Sequence, residues 1–248
     1  MKKFRMTLLM IILVMGLSVT NLYADKVATS GSASVDIMSN YVWRGIKLSN
    51  SYVVQPSVGI TYGGFGANLW SNWDSDFNNN AELTETDLTL DYSYSIDRLS
   101  LDAGYIYYGL EGASDTQEIY VSAGYDVLLS PSLTLYYDYD EGKGAFAVAS
   151  VGHTLEFGKI ALNLGASASY NFNNLVMGTD ASGNDFSNFY NGEISASASI
   201  PLNDAISVEP KIAYSFPLSN VAENAIKAMS DDGDSNIIYG GVNLSLSF

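Results

Sequence analysis

The sequence predicts an all-β fold: an antiparallel up-and-down barrel of about twelve strands, built to cross a membrane. Three observations predict it. Apolar and polar residues alternate with period two from one end of the chain to the other. Short and long connections follow one another in turn between the alternating segments. The chain also ends on such a segment, with Ile238, Val242, Leu244, Leu246 and Phe248 on one parity and Tyr239, Gly241, Asn243, Ser245 and Ser247 on the other. Successive side chains of a strand point to opposite faces, so this segment has one greasy face and one wet face.

Composition fits that wall. Hydrophobic residues make up 47% and charged residues 15% of the 248 residues, where charged residues are about a quarter of an average soluble domain. The formal net charge is −16, which argues against nucleic acid as a partner, because phosphates call for Lys and Arg. There is no cysteine, so the fold owes nothing to disulfides and rests on its backbone ladder.

Residues 1–24 read as a cleaved secretory signal. Lys2, Lys3 and Arg5 form the positive region, Met6 to Val19 the apolar core, and Leu22-Tyr23-Ala24 the cleavage site. The mature barrel domain is then 25–248. No later segment approaches the roughly 20 continuous apolar residues of a membrane helix.

The alternation places strands near 33–43, 53–62, 65–72, 85–96, 99–108, 117–126, 132–139, 145–156, 159–172, 190–200, 206–216 and 236–248. In 145–156 both parities carry apolar residues, so the register there is open. Short turns are expected at Gly63-Gly64, Asp97-Arg98, Val127 to Pro131, Phe157-Gly158 and Pro201 to Ala205. Longer polar loops are expected at Gly45 to Tyr52, Asn72 to Thr84, Asn173 to Phe189 and Pro217 to Ser235. Tight turns on one rim and long loops on the other match an outer-membrane barrel, with turns periplasmic and loops extracellular. A soluble β-sandwich does not segregate its loops in this way.

Aromatic residues give an independent reading of orientation. Tyr41, Trp43, Tyr105, Tyr107, Tyr137, Tyr139, Tyr170, Phe172, Tyr190, Tyr214 and Phe216 fall near the long-loop rim as a lipid-facing girdle. Tyr62, Tyr94, Tyr125, Phe157 and Phe248 form a sparser ring at the other rim. In the last long loop, Asn220-Val-Ala-Glu223 has capping-box spacing, Ala225 to Met229 favours helix, and Asp231-Asp232-Gly233 ends it. Such a helix either caps the mouth or stands as an inert surface turn.

The inward parity is rich in Ser, Thr, Gly, Ala and Asn, which do not fill a barrel, and about twelve strands enclose a narrow aqueous pore. Candidate pore-lining charges are Asp36, Asp87, Asp91, Asp102, Asp126, Asp138, Glu193 and Glu209, with Lys211. Tyr108, Tyr120, Tyr136 and Tyr239 are candidate constrictions. Unbalanced carboxylates on such a wall concentrate cations and repel anions.

Two further groups point to chemistry more weakly. Asp74-Ser-Asp76-Phe-Asn78-Asn79 followed by Glu85 has the spacing of a calcium loop, but Asn79 stands where Gly is wanted and the flanks are strands. A solvated Asp/Asn-rich loop explains it as well. His153 is the single histidine, with Ser150 nearby, but their parities differ, which speaks against a hydrolase site. No catalytic residue, metal site or cofactor is assigned.

One stretch carries a family resemblance. Ser39-Asn40-Tyr41-Val42-Trp43-Arg44-Gly45-Ile46, with Gln55-Pro56-Ser57-Val58 and Asn68-Leu69-Trp70-Ser71-Asn72-Trp73-Asp74, resembles the TorF family of porins, over about residues 34–108. The resemblance implies a bacterial outer-membrane barrel with a transport role; it brings no substrate and no site residues. Locally, Gly45 permits a bend, and Arg44 either pairs with an acidic wall or lies free on the surface. The expected function is passive diffusion of small hydrophilic solutes or ions, with a cation preference and membrane lipid around the wall. The alternative is a non-conducting barrel whose external loops bind a partner or a surface. The sequence specifies no oligomeric state.

Overall fold

The computed structural model describes residues 29–248; the expected signal segment and the expected mature start near Asp25 lie outside them. Twelve antiparallel strands close into a barrel. They are β1 (Thr29–Met38), β4 (Val53–Tyr62), β5 (Phe65–Phe77), β6 (Asn80–Ile96), β7 (Leu99–Leu110), β8 (Thr116–Tyr125), β9 (Ser132–Asp138), β10 (Gly144–Phe157), β11 (Ile160–Phe172), β12 (Ser187–Pro201), β13 (Ile206–Pro217) and β14 (Ile237–Ser247). Each pairs with its sequence neighbour, apart from a short hairpin of β2 (Tyr41–Trp43) and β3 (Ile46–Ser49) that forms its own two-stranded sheet. First and last strands meet from Ser32 opposite Ser247 to Met38 opposite Gly241, so the sheet has no free edge. Closure lets the backbone polar groups of the wall pair from strand to strand, as a lipid surround demands.

The two faces follow the period-two pattern. Ile194, Val121, Leu133 and Ile212 are more than half exposed on the outer face, a continuous apolar surface that belongs in lipid. On the inner face, paired polar residues tie neighbouring strands together, as Ser132 with Ser150 (2.6 Å) and Ser122 with Thr134 (2.8 Å). Among the described residues no helix is long and apolar enough to cross a membrane; the crossing is made by strands.

Register in β10 is now fixed. Thr134 pairs with Val148 and Ser132 with Ser150, so the even residues face inward and His153 faces out. Ser150 and His153 lie on opposite faces of the wall, as their parities suggested.

Turn chemistry sets the rims. Gly63 and Gly64 both have positive φ (57° and 92°), the geometry of a two-residue hairpin that matches strand twist. Asn78 and Asn79 do the same at the opposite rim (51° and 66°). This corrects the expected loop over 72–84: β5 and β6 continue as a ladder past Asn72 and close in the Asn78-Asn79 turn. The Asn residues that made the segment look like a cation loop are the ones that tolerate the left-handed turn. Asp74 is engaged by the Ser51 hydroxyl at 2.6 Å.

Two departures from strict alternation matter for the interior. The first strand ends at Met38, not near residue 43. At Ser39-Asn40 the chain bends, held by the Ser39 amide on the Gly240 carbonyl (2.8 Å), and the β2–β3 hairpin turns into the barrel. In β12 a bulge lies between the Ala168–Gly192 and Tyr170–Phe189 pairs. An extra residue there reverses the parity, so Phe189 takes the lipid side against the Tyr170 ring and Tyr190 is fully buried inside.

The helix α1 (Asn220–Met229) forms where expected, with its cap one residue earlier: the Ser219 hydroxyl accepts from the Ala222 amide at 3.3 Å. It is not an inert turn. Ala222, Ala225 and Ile226 are buried together with Ile46, Phe146, Met177 and Tyr190 in one apolar cluster. That cluster is the core of the molecule, and it sits inside the long-loop end of the barrel.

Candidate functional site

The functional surface of a barrel is its lumen, and here the lumen carries an inserted hairpin. Its tip is Trp43-Arg44-Gly45. Arg44 adopts φ 49° and Gly45 φ 83°, a left-handed pair that allows the tight reversal. Gly45 approaches Asn191 so closely that a Cβ would meet that side chain at 2.8 Å.

Arg44 makes the central contact. Its two terminal nitrogens donate to the two carboxylate oxygens of Glu118 on β8, at 2.8 and 2.7 Å. The guanidinium also lies 4.5 Å from the ring centres of Trp43 and Tyr136 and 4.7 Å from Phe146. A planar cation between aromatic faces, with a bidentate partner, is the arrangement that best compensates its loss of hydration. Of the two alternatives for Arg44, the acidic wall is therefore the one observed. Tyr108 donates to the same Glu118 at 2.9 Å.

Lys47, on the return strand of the hairpin, is buried and pairs with Asp232 and Asp234 just beyond α1. The two loops are thus tied to one another by charge as well as by the apolar cluster. Partial burial works against the charge of Asp232; the hydrogen bond and attraction from Lys47, with the Asp234 amide, outweigh it and hold its carboxyl below the usual range.

Most of the expected lining residues face inward. Asp36 on β1 pairs with Lys211 on β13 and accepts from Asn243 on β14 at 2.9 Å. Glu193 accepts from the Tyr239 hydroxyl at 2.8 Å, and Glu209 lines the same cavity of about 380 Å³ as Glu193 and Lys211. Asp91 and Asp102 lie on the opposite wall, where Asp102 accepts from Ser93 at 2.5 Å. Asp87 lines a second cavity of about 420 Å³ beneath the hairpin, with Tyr108 and Tyr239. Tyr120 and Tyr136 stand side by side, ring centres 5.7 Å apart, and Gly104 leaves the space that Tyr120 fills, since a Cβ there would meet its ring at 2.5 Å.

Two expected lining residues are placed otherwise. Asp126 lies past the end of β8 in the short turn, its amide on the Arg98 carbonyl, beside a cavity at that rim. Asp138 is fully buried, accepting from the Thr116 hydroxyl (2.7 Å) and the Asp140 amide (2.9 Å). It fastens the β9 end and meets no open water.

Tyr41 and Trp43, expected in the lipid girdle, are inside. Tyr41 packs on Trp70 at 5.6 Å and Trp43 edge-on to Tyr108 at 6.1 Å. Glu118 was not among the expected lining residues, although it shares its parity with Tyr120, which was; the alternation that selected Tyr120 also contained Glu118. Trp70 entered only through the family resemblance and Glu85 only through the calcium-like spacing. Among the described residues there is no cluster of three or more His, Cys, Asp or Glu side chains able to hold a metal ion.

No protein-family model and no curated protein sequence matches the chain. Solved structures resemble its fold. The NanC porin matches with 12% identity over 89% of this chain and 99% of its own, at a TM-score of 0.50. The KdgM porin matches with 12% identity over 88% and 99%, at 0.52, and an outer-membrane channel from Pseudomonas putida F1 with 8% identity over 93% and 100%, at 0.52. At such identities the likeness is one of fold: the closed barrel of outer-membrane channels.

Proposed function

We propose that this protein is a bacterial outer-membrane channel for small hydrophilic solutes, narrowed by its first loop and preferring cations. The short turns face the periplasm and α1 faces outward. The TorF resemblance and the secretory signal expected over residues 1–24 fit this placement. One observation carries the selectivity: the inward carboxylates outnumber the inward bases, and the bases are already matched, Lys211 by Asp36 and Arg44 by Glu118. Asp91, Asp102, Glu193 and Glu209 remain along the path without a matching base, where low-dielectric walls strengthen the field of their charge. KdgM has been solved with oligogalacturonate; a polyanion of that kind meets repulsion in this lumen, so a different solute is proposed here.

Planar-bilayer recording of the purified protein in a potassium chloride gradient tests the proposal. Stable unitary steps with a reversal potential on the cation side are expected. Clear anion selectivity would overturn the preference.

A second reading has a specific observation behind it. Ile46, Phe146, Met177, Tyr190 and Ile226 are completely buried in the long-loop mouth, a filling that suits a closed barrel presenting its loops to a partner. Silence in the bilayer, with folded protein present, would favour it.

A further inference from the structure

We infer that the 420 Å³ cavity beneath the hairpin is a binding subsite for a small organic cation, an alkylated or primary ammonium. Its volume lies within the range of small-molecule sites. Its walls are aromatic: Tyr41 and Trp43 from the hairpin, Trp70 from β5, Tyr108 from β7 and Tyr239 from β14. One charged residue lines it, Asp87, and no base does. Asp87 makes no ion pair among the described residues; its Oδ1 receives no hydrogen bond, while the carboxyl also meets that of Glu85. Arg44 does not line the cavity, and Glu118 matches its charge.

The ligand class follows from which groups are free. Gln55 and Asn68 also line the cavity, but their amides are committed to the wall, to Asn72 at 2.9 Å and Ser57 at 2.9 Å. The Tyr108 and Tyr239 hydroxyls donate to Glu118 and Glu193. A sugar would need such groups at liberty to bind its hydroxyls. The Asn40 amide is engaged by Ser39 and Asn50, so what the cavity leaves over is chiefly ring surface and a carboxyl, with the Thr89 hydroxyl beside them. An inorganic ion wants several oxygen ligands and gains little from ring faces. A weakly hydrated ammonium is attracted to the quadrupole of Trp and Tyr and to a nearby carboxylate. Carboxylates continue beyond it, since the cavity holding Glu193 and Glu209 shares Met38 and Tyr239 with this one.

The inference deepens the cation-preferring channel reading and takes its biological meaning from it, but binding is measurable without a current. The chain has three tryptophans; Trp43 and Trp70 line the cavity, and Trp73 packs on Tyr52 away from it. In detergent-solubilised full-length barrel carrying Trp73→Phe, emission reports the cavity. Titration with choline should change that emission saturably. Asp87→Asn, nearly isosteric, and Trp70→Phe, which keeps an aromatic filler, should each weaken the midpoint about tenfold or more. Asp126→Asn at the short-turn rim should leave it unchanged. No saturable change with choline overturns the subsite, as does a response to glucose in place of choline. Potassium current measured on the same preparation separates the two ideas: current without choline binding sinks the subsite alone, and choline binding without current sinks the channel alone.

Discussion

Arg44 and Glu118 stand 74 positions apart in the sequence and meet in two parallel hydrogen bonds of 2.8 and 2.7 Å inside the barrel. One belongs to a loop and the other to the wall. Their side chains are 9% and 1% exposed, so neither has water to fall back on if the other is removed. The pair therefore does more than decorate the lumen: it commits the first loop to an inward position.

Removing one partner leaves a buried, unpaired charge, which costs about 3–5 kcal/mol when nothing moves. The hairpin is short and can leave instead. Arg44→Ala and Glu118→Gln should both raise unitary conductance in planar bilayers and increase current noise, because the tip is no longer held. Arg44→Lys should not restore wild-type behaviour, since an ammonium lacks the planar fork and stacks poorly on Trp43 and Tyr136. Unchanged traces in all three variants would mean that the tip lies outside the conduction path.

The tie between Lys47 and Asp232 should respond to acid. Asp232 keeps its folded-state pKa below the unfolded carboxylate value of about 3.9. A depressed pKa contributes stability that is present above the unfolded value and lost as pH falls through the folded one. The link between the first loop and α1 should thus hold at neutral and mildly acidic pH and release below about pH 4. Protection of the 218–236 segment from an acid-active protease should drop in that window. Asp232→Asn should show the weakened state already at pH 7 and flatten the acid response.

How much of this was legible depends on whether a segment stays in the ladder. Leu88, Leu90, Tyr92, Tyr94 and Ile96 could be assigned to the lipid face from the sequence because β6 runs unbroken along its neighbours. Tyr41 and Trp43 could not. They continue the parity of Ile37, but the chain has left the wall at Ser39, and beyond that point alternation says nothing about inside and outside. Tyr190 was misread for a related reason: the bulge beside Phe189 inserts one residue, and nothing in the local composition marks it. The partnership of Arg44 was half visible. A lone arginine before a glycine marks a bend, but only the closed barrel says which of many carboxylates lies opposite.

Selectivity should follow the arithmetic of paired and unpaired charge. Glu193→Gln combined with Glu209→Gln should move the reversal potential in a potassium chloride gradient toward zero, more strongly at low salt, where screening is weaker. Lys211→Gln should do the opposite. It frees Asp36, now paired with it, and adds a carboxylate's charge to the path, so cation preference should rise. A fall in cation preference on losing Lys211 would show that the Asp36 side of the lumen does not face the permeating ion.

Closure of the barrel makes the last prediction. Phe248 and Gly31 exchange backbone hydrogen bonds of 2.7 and 2.9 Å, and the terminal ring lies across Gly31 so closely that an added Cβ would come within 3.0 Å of three ring atoms. The glycine's bare face is covered by the aromatic, a device that shields a weak point in a strand. Deleting Phe248 removes both hydrogen bonds, each worth about 0.5–1.5 kcal/mol, together with the ring cover. Gly31→Val instead keeps the bonds and displaces the ring. Heat-dependent gel mobility of the detergent-solubilised protein should therefore show the folded band lost at lower temperature in both variants, and furthest in the deletion. A milder effect for the deletion than for Gly31→Val would locate the contribution in the ring contact and not in the terminal backbone pair.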